Sequence, residues 1–129
     1  MDSSAPVRGR ELQLKMAERS VNIDLLVFVT QRVTGALLAL FVLVHLITII
    51  YAVQGDLSVA EIVSRVRGNV AWIIFYGVFI VTVVVHAMIG LRNILIEMSS
   101  LNRRTIDLTV ITYAAVTLLL GTETIKAIW

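Results

Sequence analysis

Two histidines stand inside long apolar runs of this chain. His45 lies in LFVLVHLITII, and His86 lies in TVVVHAMIGLRN. An ionisable side chain in hydrocarbon is costly, so a histidine kept at membrane depth is a functional candidate by default. The chain has no cysteine, and neither run contains a carboxylate. A zinc or di-iron site therefore lacks a ligand set here. Neutral imidazole is a good axial ligand for haem iron. A proton relay is the main competitor, but it would want further acids in the spans.

The neighbours of His86 fit a bound ring. Gly90 follows at i+4, on the same helix face. Glycine weakens a helix interior unless something needs the space. That something is either a close-packed helix or a flat ring lying on the backbone, and Gly35 in RVTGA invites the same two readings. Arg32 and Arg92 flank the runs, where they suit anionic groups such as haem propionates or serve as positive anchors. Met88 points away from the His86 face, and Met88 and Met98 are packing residues on this reading.

These residues need helices to hold them. The chain has 129 residues, 58% hydrophobic and 16% charged, against ~25% charged for a soluble domain. Val33–Val53 and Val70–Leu91 form uncharged windows of 21 and 22 residues, counting histidine as neutral. Both exceed the ~18–20 residues that cross a bilayer core. Leu108–Thr122 has only 15 and spans only if its helix continues past Glu123 and Lys126, with those side chains reaching the surface. The expectation is an all-α membrane protein with spans at about 27–53, 70–96 and 106–127. The three helices would form half of a bundle completed by a second subunit.

Residues 1–24 read as a polar N-terminal segment before an anchor at 25–129. Within it, Met1–Val7 is expected to be disordered, and Arg8–Arg19 to form a short surface helix. Ser20 or Asn22 in RSVNID offers a cap for the next helix. LSVAEIVSRV, in the loop 54–69, reads as amphipathic and surface-lying. With three crossings, eight Lys or Arg fall on the N-terminal side and three on the other. This puts the N-terminus in the cytoplasm or an organelle matrix. A multi-pass protein of a bacterial or archaeal plasma membrane is expected. The basic residues border spans and form no basic aromatic face, so nucleic acid is not a partner.

Depth separates the histidines. His86 is six residues from Arg92 and His45 is thirteen from Arg32, or ~9 Å and ~20 Å along the helices. If both arginines lie level, the histidines differ by ~10 Å in depth. Axial ligands of one iron sit within ~4–4.5 Å of each other, given metal–imidazole bonds of roughly 2 Å. Each histidine would then serve its own haem, with the second ligand of each supplied by another chain.

Gln31-Arg32-Val33-Thr34-Gly35, followed by His86, Gly90, Arg92 and Glu97, resembles the cytochrome b membrane-anchor subunit of succinate:quinone oxidoreductases, including fumarate reductases. The resemblance covers roughly residues 19–100. It implies that His86 ligates the haem nearer the cytoplasm and His45 an outer haem, as in two-haem, two-anchor members. It further implies a second anchor subunit, a flavoprotein carrying FAD, an iron–sulfur subunit, and menaquinone bound near the outer haem. The chain would not be active alone; it would carry electrons between the iron–sulfur subunit and quinone. Phe28 replaces a serine that helps bind ubiquinone in single-haem relatives, and Asn93 replaces a second histidine. For an outer quinone, Glu61 and Asp56 are the carboxylates that could handle protons, against the alternative of a solvated loop. Two rivals remain open: a haem-free docking anchor, and a small membrane protein whose histidines relay protons.

Overall fold

The computed structural model describes the backbone of residues 5–129 and the side chains from Gly9 onward. Four helices follow in order: α1 (Ala5–Gln54), α2 (Val59–Val66), α3 (Val70–Met98) and α4 (Arg103–Ile128). Three of them are long and apolar enough to cross a membrane. Lipid offers no partner for a free peptide group, so the chain buries its backbone hydrogen bonds inside helices.

α1 corrects the expected helix start at Ser20 or Asn22. It runs 50 residues without a break, about 75 Å at the helical rise, more than twice a ~30 Å hydrocarbon core. Ser20 does not cap a new helix; its hydroxyl donates to the Ala17 carbonyl at 2.8 Å, inside α1. The separate surface helix at Arg8–Arg19 is instead a collinear extension of the first span. Pro6, the single proline, falls in the first turn, where its missing N–H interrupts nothing. The disorder expected for Met1–Val7 is not found at Ala5–Val7, which are helical, and residues 1–4 lie outside the described residues. Every described side chain from Gly9 to Val29 is exposed.

The turns are set by side-chain caps. Ser58 and Glu61 close a reciprocal capping box on α2, Asn69 caps α3 and Asn102 caps α4. Asp56 takes a left-handed φ of 48° after α1, and Gly68 one of 69°. The N–H of Gly68 donates to the Ile128 carbonyl at 2.9 Å, tying the α2–α3 turn to the end of α4. The amphipathic stretch read from the sequence forms the helix α2. Losing the Ser58 hydroxyl in Ser58→Ala is expected to cost about 1 kcal/mol of local stability, read as faster amide exchange confined to α2.

α3 is the central helix, packed against α1 on one side and α4 on the other. α4 turns Ile106, Val110, Ala114 and Gly121 inward, a single stripe at i+4 and i+7 spacing. At Gly121 a Cβ would come within 2.6 Å of Ile80 Cγ2, so the missing side chain lets α4 approach α3. Glu123 and Lys126 lie inside α4, which continues past them. They pair with each other at 2.7 Å with both side chains about two-thirds exposed. Only seven apolar side chains among the described residues are buried. The exposed aliphatic surface elsewhere suits lipid or neighbouring transmembrane helices, not water.

Candidate functional site

Gln31, Thr34 and Gly35 follow at i, i+3 and i+4, so they share one face of α1. That face meets His86 on α3. Thr34 Oγ1 is 3.1 Å from His86 Nδ1, and Gln31 Nε2 is 3.4 Å from His86 Nε2. The room left by Gly35 is taken by the imidazole itself: a Cβ there would stand 3.3 Å from His86 Cε1. The room at Gly90 is taken by the Gln31 amide, whose Nε2 would stand 2.9 Å from an added Cβ. Gln31, His86, Ala87, Gly90, Leu91, Ile94 and Tyr113 line an open groove of about 340 Å³. Gln31 Oε1 is buried there without a hydrogen-bond partner.

Arg32 and Arg92 do not sit level. α1 and α3 run antiparallel, with His86 opposite Thr34. Arg92 is six residues beyond His86, while Arg32 is two residues before Thr34, so Arg92 lies ~6 Å nearer the N-terminal side. Arg32 is exposed, with its guanidinium 5.1 Å from the Phe28 ring centroid. Arg92 Nε donates to Asp107 Oδ1 on α4 at 3.1 Å. Both side chains are nearly half exposed, so this pair is worth at most about 1 kcal/mol.

His45 stands far from this groove. Its Nδ1 is 3.4 Å from the Tyr76 hydroxyl, and its ring packs edge-on to Tyr76 and tilted against Phe79. Phe41, Phe75 and Trp72 extend the cluster. From Thr34 to His45 along α1 is eleven residues, and from Tyr76 to His86 along α3 is ten. Both routes give ~15–16 Å. The offset exceeds the ~10 Å expected from level arginines, because the arginines are staggered. The two imidazoles cannot reach one iron.

The two loop carboxylates are structural in their visible contacts. Glu61 Oε2 accepts from the Ser58 N–H and hydroxyl, both at 2.8 Å. The Ser58 backbone N–H, then its hydroxyl, hold the Glu61 carboxyl below the usual range. A lowered folded-state pKa gives a contribution that is present above the unfolded value and lost as pH falls through the folded one. Fraying of α2 is therefore expected on acidification below the ordinary glutamate range, and amide exchange against pH measures it; Glu61→Gln should abolish that dependence. Asp56 forms the left-handed turn. Beside them, Thr48, Tyr51, Ala52, Leu57, Ile62, Arg65, Val66 and Trp72 enclose a mainly apolar cavity of about 160 Å³. Neither carboxylate belongs to its wall.

A histidine at membrane depth, hydrogen-bonded at both nitrogens and facing a glycine-floored groove on a three-span anchor, narrows the family. Residues 7–122 match the family described as succinate dehydrogenase/fumarate reductase transmembrane subunit. The chain belongs to that family. No curated protein and no solved structure matches the chain. Membership makes this chain a membrane subunit that associates with other subunits of a succinate dehydrogenase or fumarate reductase. The resemblance read from the QRVTG and HAMIGLRN motifs is thereby confirmed at family level. Sequence reasoning had Gln31 and Thr34 only as motif letters; their i, i+3 spacing with Gly35 was the available signal that they face α3. Tyr76 and Asp107 carried no such signal.

The residues around His86 fit a haem. A groove lined by His86 and Gly90, close packing at Gly90 that a Cβ would disturb, and an imidazole Nε2 whose hydrogen-bond partner is the end of the Gln31 side chain are compatible with a flat ring bearing iron. The donor here is a single imidazole nitrogen, a type that would suit haem iron.

Proposed function

We propose that this subunit binds two b-type haems, through His86 on the N-terminal side and His45 on the far side, each shared with a second anchor subunit. Bound haem supplies one-electron relay between the iron–sulfur subunit and membrane quinone. The single observation that carries this reading is the His86 groove. His86, Gly90 and Gln31 line it together, and the end of the Gln31 side chain stands between the glycine and His86 Nε2.

The chain's own part is to hold and orient. α3 carries His86, and α1 fixes the imidazole through Thr34 and Gly35. Arg32 and Arg92 offer positive charge on the N-terminal side for propionates, with Arg92 steered by Asp107. The low-dielectric span keeps water from the ring and so tunes its potential. Succinate chemistry belongs to a flavoprotein subunit, and the N-terminus faces the cytoplasm by its excess of basic residues. Menaquinone is the proposed electron partner on the far side. Its place is the cavity between the end of α1, α2 and the start of α3, where Tyr51 and Trp72 supply flat apolar faces and Arg65 a polar one. Glu61 and Asp56 stand at the edge of that region as turn and cap residues.

A second reading has its own support. Both nitrogens of His86 already have protein partners, which a haem-free docking anchor would also use. A reduced-minus-oxidised optical spectrum of the purified complex separates the two. A b-type α-band, with pyridine haemochrome giving two haems per complex, is expected. No α-band in a fully assembled complex would overturn the haem reading and favour the docking anchor.

A further inference from the structure

The Thr34 hydroxyl sets the direction of the hydrogen bonds around His86. Thr34 Oγ1 has one proton and three polar neighbours: the Thr30 carbonyl at 2.7 Å, the Gln31 carbonyl at 3.2 Å and His86 Nδ1 at 3.1 Å. Thr48, Thr82, Thr109, Thr117 and Thr124 all donate to the carbonyl four residues back. In lipid no water can take that proton instead. Thr34 is only 9% exposed, and its shortest contact is the same i−4 carbonyl. Its proton therefore goes to Thr30, and its oxygen faces His86 as an acceptor.

A neutral imidazole carries one N–H and one lone pair. If Thr34 accepts, His86 Nδ1 must donate, and the lone pair then falls on Nε2. The group beside Nε2 agrees: it is the amide nitrogen of Gln31, a donor. The Gln31 amide nitrogen, both His86 nitrogens and the Thr34 hydroxyl then each have a partner, while Gln31 Oε1 has none. The reverse tautomer would force the Thr34 proton off its shortest acceptor, the Thr30 carbonyl.

We propose that Thr34 is a positioning residue that fixes His86 as its Nδ1–H tautomer and thereby turns the Nε2 lone pair into the groove. The inference rests on the proposed haem reading for its use, but not for its geometry. With iron on Nε2, a hydrogen bond from Nδ1–H to Thr34 pushes electron density onto the ring and favours ferric over ferrous iron. No other side chain has a hydrogen bond to His86 Nδ1 among the described residues.

The test uses the full chain in its complex, in two arms. The first replaces Thr34 with Val, of the same shape but without the hydroxyl, and with Ser, which keeps it. In redox titration the haem assigned to His86 is expected to shift to higher potential in Thr34→Val and to stay near wild type in Thr34→Ser. The haem assigned to His45 is the internal control and stays put. Loss of the inner haem in Thr34→Val with retention in Thr34→Ser also supports the proposal. Unchanged potential in Thr34→Val, or equal loss in both variants, overturns it. The second arm reads the tautomer directly, by ¹⁵N NMR of labelled histidine in haem-free protein. Protonated Nδ1 at His86 is expected, and protonated Nε2 overturns the proposal. Correct tautomer with no haem ever bound would instead sink the haem reading and leave the Thr34 geometry standing.

Discussion

Replacing His86 with Leu is expected to remove one of the two proposed haems from the assembled complex and leave the other spectrally intact; His45→Leu is expected to do the converse. The separation of ~15 Å along both helices makes each loss local. It is several times the ~4–4.5 Å allowed to two axial nitrogens of one iron. Leu suits the span's apolar surroundings and cannot ligate. Pyridine haemochrome assay of each purified variant should give half the wild-type haem per protein. Electron transfer from succinate to quinone should fall at least 100-fold in His86→Leu, if the inner haem lies on the electron path; succinate oxidation by a soluble dye acceptor should persist. If either single replacement removes both haems while the subunits remain assembled, the two-site assignment fails. The two sites also differ in what they leave behind. At His86, the Gln31 amide loses its partner and the Thr34 oxygen loses an N–H, although the Thr34 hydroxyl keeps its bond to the Thr30 carbonyl. At His45 only the weak contact to Tyr76 is lost. His86→Leu should therefore be the less stable variant.

The sequence made the spans and both histidines legible because hydrocarbon length and composition act through simple sums. Uncharged windows located the long apolar helices, and α1, α3 and α4 contain the ranges 27–53, 70–96 and 106–127. What failed was local. Ser20 and Asn22 are good caps in isolation, but nothing between Gly9 and Gly35 forces α1 to stop, so the helix simply continues. Arg32 and Arg92 read as level landmarks, yet α1 and α3 are staggered by their own packing. Register between two helices is a property of the contact, not of either sequence. The wiring of His86 was half visible: Gln31, Thr34 and Gly35 fall on one face, but the partner of that face required the fold. The Arg92–Asp107 pair depends on where α4 begins relative to α3, which no spacing within either helix encodes.

Gly90 and Gly121 offer the sharpest contrast within α3 and α4, since a larger residue at each is expected to fail differently. At Gly121 the obstacle is Ile80, whose Cγ2 and Cδ1 would lie 2.6 and 3.0 Å from a new Cβ. Ile80 is β-branched and wedged between two helices, so it has little freedom to move. Gly121→Leu overpacks the α3–α4 interface, at a cost of about 1–3 kcal/mol. At Gly90 the nearest atom is the end of the Gln31 side chain, at 2.9 Å, which can swing aside. Leu is also a better helix former than Gly by roughly 0.8 kcal/mol. Gly90→Leu should therefore leave the helices folded, yet fill the floor of the groove with a side chain where the ring is to lie. The expected result is a complex that assembles with His86 intact but retains less than a tenth of the inner haem. Gly121→Leu should keep its haem per assembled complex and lower the melting temperature instead. Haem content and thermal unfolding, measured on both variants together, check the pair. If Gly90→Leu keeps full haem, Gly90 serves helix packing alone, and the ring must lie elsewhere against α3.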